Sequence, residues 1–431
     1  MKHLFSTAAL RIAPAMVLLC ASAFAAVPPS PPASAAPTAP APLSRLETLG
    51  KNLFDDRALS EPAGTACVSC HLPTTGWADN HGSAVGVSAG SRAGVLGLRN
   101  ALTNGYSSFI PPFSFRVKDG ETDPLGGHFW DGRANTLAEQ ALGPFLAARE
   151  MNNPDSASVV RKVAASSYAN LMRAEFGAGI FNTPDLAFQK IGEAIAAFEG
   201  TTGFQPFSSR YDDYVLGKAT LADNELRGMK LFIDPARGNC ASCHSMNPTS
   251  KNPRDSLFTD FAFYATGVPR NSAIPDNANP SFFDLGLCGP ARSRPALTAN
   301  VPATVTVEQF CGTFRIATLR NVALRKAFMH NGVFKSLREV VSFYATRNSN
   351  PQRWYGPTGV PNDLPQAYLG NIVHDRVPFN RPRAAGPALS ESEIDEVVAF
   401  LGTLSDKAPP APGPTAPAPA SSAILNPFSP R

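Results

Sequence analysis

The stretch TACVSCHLP at residues 65–73 is nearly repeated further along the chain as GNCASCHSM at 238–246. Each contains the pattern Cys-x-x-Cys-His. This pattern is the attachment site of c-type haem, in which both thiols bond to the porphyrin and the histidine binds the iron. A redox-active dithiol needs no adjacent histidine and no second copy, and a zinc site would need the two pairs to come together. The motifs therefore predict two covalently bound haem c groups.

The residues of these motifs have separate roles. The predicted haem ligands are the attaching cysteines Cys67, Cys70, Cys240 and Cys243 and the proximal histidines His71 and His244. Outside the motifs, Cys288 and Cys311 predict a disulfide, because an exported protein favours paired cysteines. Free thiols are the alternative for this pair.

The N-terminus carries the features of an export signal. Lys2 and Arg11 supply positive charge, an apolar run follows, and Ala-Phe-Ala at 23–25 is a typical cleavage site. Lipidation at Cys20 is the alternative, which the bulky residue before it disfavours. No later apolar run is long enough to cross a bilayer. Residues 1–25 therefore predict a signal peptide, and the mature protein is predicted to be periplasmic with no membrane span.

The charge balance excludes some classes of partner. The chain has 38 Lys and Arg against 34 Asp and Glu, a formal net charge of +4. Such a small excess indicates neither a nucleic-acid partner nor an anionic membrane.

Composition and repeats predict the domain organisation. Residues 26–43 and 408–431 are rich in Pro and Ala, which favours extended chain and indicates a linker and a tail. LGKNLFDD precedes the first haem motif, RGMKLFID precedes the second, and LRN follows each. We therefore predict two related cytochrome-c-like haem domains, at 44–217 and 218–407.

Helix signals are strong and strand signals weak. Thr183 followed by Pro184 is typical of a helix start, and capping boxes are predicted at Ser336 with Glu339 and at Ser390 with Glu393. The predicted fold class is all-α, with long loops that form the haem pockets.

The segment between the motifs, GGHFWDGRANTLAEQALGPFLAAREM at 126–151, places Trp130, Gln140 and Glu150 ten residues apart. From the residues alone, a core tryptophan and two ordinary surface residues are the favoured explanation. The segment resembles the inter-haem signature of the bacterial di-haem cytochrome c peroxidase/MauG family. Residues 314–344, which begin with FRIATLRN, resemble its second-domain signature.

The resemblance implies a role for each of these residues. Trp130 matches the tryptophan that couples the two haems electronically. Gln140 and Glu150 match distal residues of the N-terminal haem, where peroxide binds, and Pro144 matches a proline of the same pocket. A carboxyl group there can act as general base and then as general acid during O–O cleavage. The resemblance also implies one calcium ion, held by Asn100 and the backbone carbonyls of Arg325 and Ala327.

Two positions distinguish branches of the family. Where peroxidases carry a removable histidine on the first haem, the alignment places Val87, which predicts an open site; His81 is the alternative ligand. Where peroxidases have a distal methionine on the second haem, this chain has Tyr344, as MauG does; Met329 is the alternative. A tyrosine ligand favours oxidised iron.

The resemblance implies an enzyme of the cytochrome c peroxidase type. It would reduce hydrogen peroxide with electrons from a small c-type cytochrome or a cupredoxin, and a homodimer is common in the family. One alternative is a MauG-like enzyme that oxidises a residue of a partner protein. An alternative of another class is a non-catalytic electron carrier or redox sensor, with both irons fully ligated.

Overall fold

The computed structural model describes residues 42–79, 85–118, 120–298 and 301–407. The predicted signal peptide, the tail, nearly all of the linker and His81 lie outside these residues. The α-helices are α1 Arg45–Asp55, α2 Cys67–Cys70, α3 Leu137–Leu146, α4 Ser156–Ala164, α5 Ala169–Phe176, α6 Pro184–Glu199, α7 Arg210–Val215, α8 Asp223–Ile233, α9 Arg294–Thr298, α10 Leu337–Thr346, α11 Gln352–Tyr355 and α12 Glu391–Gly402. Long irregular segments connect them.

The predicted helix starts are confirmed. Helix α6 begins at Pro184 directly after its N-cap, Thr183. Helices α10 and α12 begin with complete capping boxes, at Ser336 with Glu339 and at Ser390 with Glu393. In each box the serine oxygen accepts from the third residue of the helix, and the glutamate accepts in return from the serine backbone.

The mainly helical class is confirmed, but the structure also contains two small antiparallel sheets. Strand β1 (Ser114–Lys118) pairs with β2 (Glu121–Leu125), and β3 (Phe263–Tyr264) pairs with β4 (Phe314–Arg315). Two-residue strands are too short to show an alternating pattern in the sequence, so they escape prediction. Their position matters, since β4 carries Arg315, which borders the cavity around each haem motif.

A repeated helix pair organises each half of the chain. Helix α1 packs against α6, and α8 packs in the same way against α12. A β-carbon added at Gly50 would lie 1.9 Å from the Ala194 carbonyl oxygen, and one added at Gly228 would lie 1.9 Å from that of Glu396. Glycine therefore lets both pairs cross in backbone contact, at equivalent places in the repeated GKNLF and GMKLF sequences.

The buried apolar residues of the two halves of the chain form separate clusters. One includes Leu53, Phe145 and Ile191, and a second includes Phe232 and Phe400. The division into domains at 217/218 stays a prediction. A smaller cluster surrounds the disulfide that joins Cys288 to Cys311. In the part of the chain described above, no helix has the length and apolar content that a membrane span requires.

Candidate functional site: two cavities that each hold a Cys-x-x-Cys-His motif

Tight backbone turns bring the ligands of each motif together. Cys67 and Cys70 form the single-turn helix α2, and the His71 backbone N–H donates to the Cys67 carbonyl at 3.0 Å. In the second motif a 3₁₀ turn begins at Cys240, and the His244 N–H donates to its carbonyl at 2.8 Å. Residues three and four apart share one face of a helical turn, so each motif directs two thiols and one imidazole into one cavity.

The proximal imidazoles are oriented for metal binding. His71 donates from Nδ1 to the carbonyl of Trp77 at 3.1 Å, and His244 donates from Nδ1 to that of Phe258 at 3.0 Å. Burial lowers the pKa of His71, and it lowers the pKa of His244 to about 4. Both rings are therefore neutral at pH 7, and their Nε2 lone pairs are left for a metal.

The first cavity is the larger and the more polar. Its volume is about 470 Å³. Its lining includes Cys67, Cys70, His71, Gln140, Pro144 and Glu150. Helix α3 presents Gln140 and Pro144 one turn apart on the same face. The structure thus brings the three predicted distal residues to the cavity that contains the first motif.

Glu150 sits where the chain turns back after α3. Its backbone N–H donates to the Ala147 carbonyl at 2.9 Å. The side chain keeps accessible surface where it borders the cavity, but the protein around its carboxyl displaces bulk water. This desolvation raises the pKa of Glu150, and the guanidinium of Arg133 opposes the rise. A carboxyl with a raised pKa holds a proton more readily than an ordinary glutamate does.

The second cavity is smaller and mainly apolar, with a volume of about 180 Å³. Cys240, Cys243 and His244 line it, together with both candidate distal ligands, Tyr344 and Met329. Burial raises the pKa of Tyr344. The phenol ring packs against Phe379, with ring centroids 5.3 Å apart. The structure therefore leaves both side chains as candidates.

Trp130 borders both cavities. Its indole Nε1–H donates to the Asn100 carbonyl at 2.8 Å, and its own carbonyl accepts from the Arg315 backbone N–H at 2.9 Å. Asn100, which precedes the second motif in the sequence, and Arg315, which follows it, therefore both hold Trp130 in the wall that the cavities share. The position of this tryptophan between two haems stays a prediction.

The predicted calcium ligands are partly brought together. The Asn100 side-chain amide donates from Nδ2 to the carbonyls of Ala327, at 2.9 Å, and Met329, at 3.3 Å. A calcium ion would instead need the amide oxygen turned toward it. The Arg325 guanidinium donates to the Ala101 carbonyl at 2.8 Å. Calcium binding stays a prediction.

The segment that carries Val87 is anchored to the second half of the chain. Val87 is buried, and the following Ser88 lines the first cavity. The Asn271 side chain donates to the Val85 carbonyl at 2.7 Å. A β-carbon on Gly86 would lie 2.2 Å from the Gly332 carbonyl oxygen, so the two backbones are in direct contact.

Sequence reasoning missed Glu199, which borders the first cavity. One carboxyl oxygen accepts from the Asn104 amide at 2.5 Å, and the other finds no partner within the described residues. Burial raises the pKa of Glu199 to about 8. The available sequence signal was an acidic residue in the last turn of α6, where the helix dipole disfavours negative charge.

Comparison with known proteins agrees with this geometry. Residues 44–220 match the family described as di-haem cytochrome c peroxidase. MauG from Paracoccus denitrificans is 33% identical over 369 residues, which cover 84% of this chain and 89% of that protein. The chain belongs to the di-haem cytochrome c peroxidase family. The family predicted from the sequence is confirmed, and so is the assignment as a peroxide-dependent oxidoreductase.

Two further members of the family align over most of the chain. Cytochrome c551 peroxidase from Pseudomonas aeruginosa is 27% identical, with coverage of 86% of this chain and 81% of that protein. The crystal structure of the di-haem peroxidase BthA from Burkholderia thailandensis superposes with a TM-score of 0.79 at 40% identity. That match covers 88% of this chain and 91% of BthA. Membership of the family implies two haem c groups, and the thiols and neutral imidazoles of the two cavities fit them.

Proposed function

We propose that this protein reduces hydrogen peroxide to water in the His71 cavity, with electrons that a small exported redox protein delivers on the His244 side. The observation that carries this proposal is the grouping of Gln140, Pro144 and Glu150 with His71 in the larger, more polar cavity. Trp130, which borders both cavities, supplies the route between them. The predicted export signal supports a periplasmic location.

The side chains of the first cavity account for the proton transfers. Reduction of one peroxide consumes two protons and two electrons and yields two water molecules. When bound, the haem supplies the iron that receives peroxide and passes on the electrons. With the haem in place, Glu150 would take a proton from one peroxide oxygen and return it to the other, which would leave as water. Its raised pKa suits it to hold that proton, and the Gln140 amide can donate a hydrogen bond to the bound peroxide.

The second cavity has no equivalent of Glu150 among the lining residues that the structure describes. Its apolar walls and the phenol of Tyr344 suit storage of an oxidising equivalent better than proton chemistry. We assign Tyr344 as the second ligand of this iron, because an anionic oxygen ligand favours the oxidised state.

Substitution of Glu150 tests the proton-transfer role. Glu150→Gln preserves shape but removes the base, so we expect kcat/KM for peroxide to fall at least about 100-fold. The matched control is Glu193→Gln, which removes an exposed carboxylate paired with Lys190 on α6 and should leave turnover unchanged. Unimpaired turnover by Glu150→Gln would remove Glu150 from the mechanism.

A second candidate function is MauG-like oxidation of a residue on a partner protein. It is favoured by Val87, which is buried in an anchored segment where a peroxidase would carry a removable histidine, and by Tyr344. Steady-state turnover with a reduced small cytochrome separates the two functions. Rapid turnover supports the peroxidase, whereas slow turnover with prompt peroxide consumption supports the partner-protein oxidase.

A further inference from the structure

Arg315 is a buried cation that both cavities share. Its side chain borders each of them, and only 5% of the residue surface is exposed. It belongs to β4, whose pairing with β3 fixes its backbone opposite Phe263. Its Nε donates to the Phe129 carbonyl at 3.1 Å, and its backbone N–H donates to the Trp130 carbonyl. The arginine is therefore fixed against the wall between the cavities.

The charge of Arg315 has no close counterpart in the described part of the chain. The nearest acidic influence is Asp131, whose carboxylate oxygens are already paired with Arg99 at 2.8 Å and with Arg133 at 3.0 Å. Burial lowers the pKa of Arg315 to about 10, so the group is still charged at pH 7. A buried charge without a partner is strongly destabilising, so a carboxylate is expected beside it.

We propose that Arg315 binds a propionate carboxylate of the haem in each cavity and so acts as one electrostatic clamp for both haems. A guanidinium offers five N–H donors, and the Phe129 carbonyl occupies the one on Nε. The four N–H groups of the two terminal nitrogens are left, enough for each nitrogen to donate to a different carboxylate through charge-assisted hydrogen bonds. The inference rests on the two haems of the proposed function.

The clamp has a measurable electrostatic consequence. Propionate charges destabilise the reduced state less when a fixed cation neutralises them, because reduction adds negative charge to the haem. Removal of the cation should therefore lower the reduction potentials of both haems together. An arginine that served only to brace the Trp130 loop would produce no such paired shift.

The experiment compares Arg315→Gln, Arg315→Lys and wild-type holoprotein by spectroelectrochemical titration and resonance Raman spectroscopy. We expect Arg315→Gln to lower both potentials and to shift the propionate bending bands of both haems. Arg315→Lys keeps the charge, so it should retain most of both potentials, while its single nitrogen should leave the propionate bands of at least one haem shifted. Arg292→Gln is the matched control, since Arg292 donates to the Asp131 carbonyl in the same charged cluster and should leave both potentials in place.

Three results would overturn the clamp: unchanged potentials in Arg315→Gln, a shift confined to one haem, or equal losses in the Gln and Lys variants. If Arg315→Gln does not accumulate, the Raman bands of Arg315→Lys carry the test, and wild-type positions for both haems would contradict the proposal. A haem assay on the wild type that finds fewer than two haems per chain would count against the proposed function. A loss of peroxide turnover in Arg315→Gln without any shift in the reduction potentials would instead contradict the clamp and leave the proposed function standing.

Discussion

At the residue scale, Tyr344 and Met329 compete for one position, since both line the His244 cavity. We expect Tyr344→Phe to change the visible spectrum of the second haem and to raise its potential by more than about 100 mV, because axial ligands tune haem potentials over roughly 0.8 V. Met329→Leu should leave both properties unchanged. Spectroelectrochemical titration of the two variants checks this, and the opposite pattern would make Met329 the ligand.

Glu199 predicts a pH dependence of stability. Its folded-state pKa of about 8 lies above the pKa of a glutamate in the unfolded chain. Between these two pKa values, the unfolded chain releases this proton while the folded protein keeps it. The free energy of unfolding should therefore fall as the pH rises from about 5 to 8, by on the order of 2–4 kcal/mol from this group. Glu199→Gln should abolish that slope.

Denaturant unfolding of wild type and Glu199→Gln at pH 5 and pH 9 measures this difference. A loss of stability that the substitution causes equally at both pH values does not affect the result, because only the change in the free energy of unfolding between pH 5 and pH 9 is compared. Glu193→Gln on the same helix should behave as wild type. Parallel pH profiles for wild type and Glu199→Gln would show that Glu199 ionises normally in the folded protein.

The residues also show how far sequence reasoning reached. The motif histidines could be predicted because their identity and order carry the chemistry, whereas Gln140 and Glu150 were proposed only through the resemblance to a known family. Glu199 and Arg315 could not, since each is an ordinary charged residue in the sequence. Only the packing of α6 and β4 against the cavities makes them unusual.

At the element scale, the glycines of the crossing helices are decisive. Gly228→Ala would place a β-carbon 1.9 Å from the Glu396 carbonyl oxygen, so α8 and α12 must separate. We expect a loss of about 1–3 kcal/mol in the free energy of unfolding, the usual cost of overpacking. Gly402→Ala, at the open end of α12, meets nothing within 4 Å and should be neutral or slightly stabilising.

Thermal or denaturant unfolding of the two variants checks this prediction. If Gly228→Ala is as stable as Gly402→Ala, close contact of the helix backbones does not organise this half of the chain.

Helix starts were predictable because capping residues act locally. The glycine crossings and the short strands depend on partners far away in the sequence, so local patterns did not predict them.

At the scale of the whole molecule, two unequal cavities share one wall. The polar cavity carries Glu150 and Gln140, the apolar one carries Tyr344, and Trp130 and Arg315 border both. Repeated motifs predicted two haems, but the inequality of the cavities is a property of the assembled fold. Under the proposed function, this inequality corresponds to proton chemistry at one haem and storage of oxidising equivalents at the other.

The central claim is that the His71 site accepts peroxide without prior activation. Stopped-flow spectroscopy of the fully oxidised holoprotein mixed with hydrogen peroxide, with no reductant present, tests it most directly. We predict an immediate spectral change at stoichiometric peroxide, because the sequence alignment predicts Val87 at the position of the blocking histidine. No change until one haem has been reduced would contradict the account and would point to a hidden ligand such as His81.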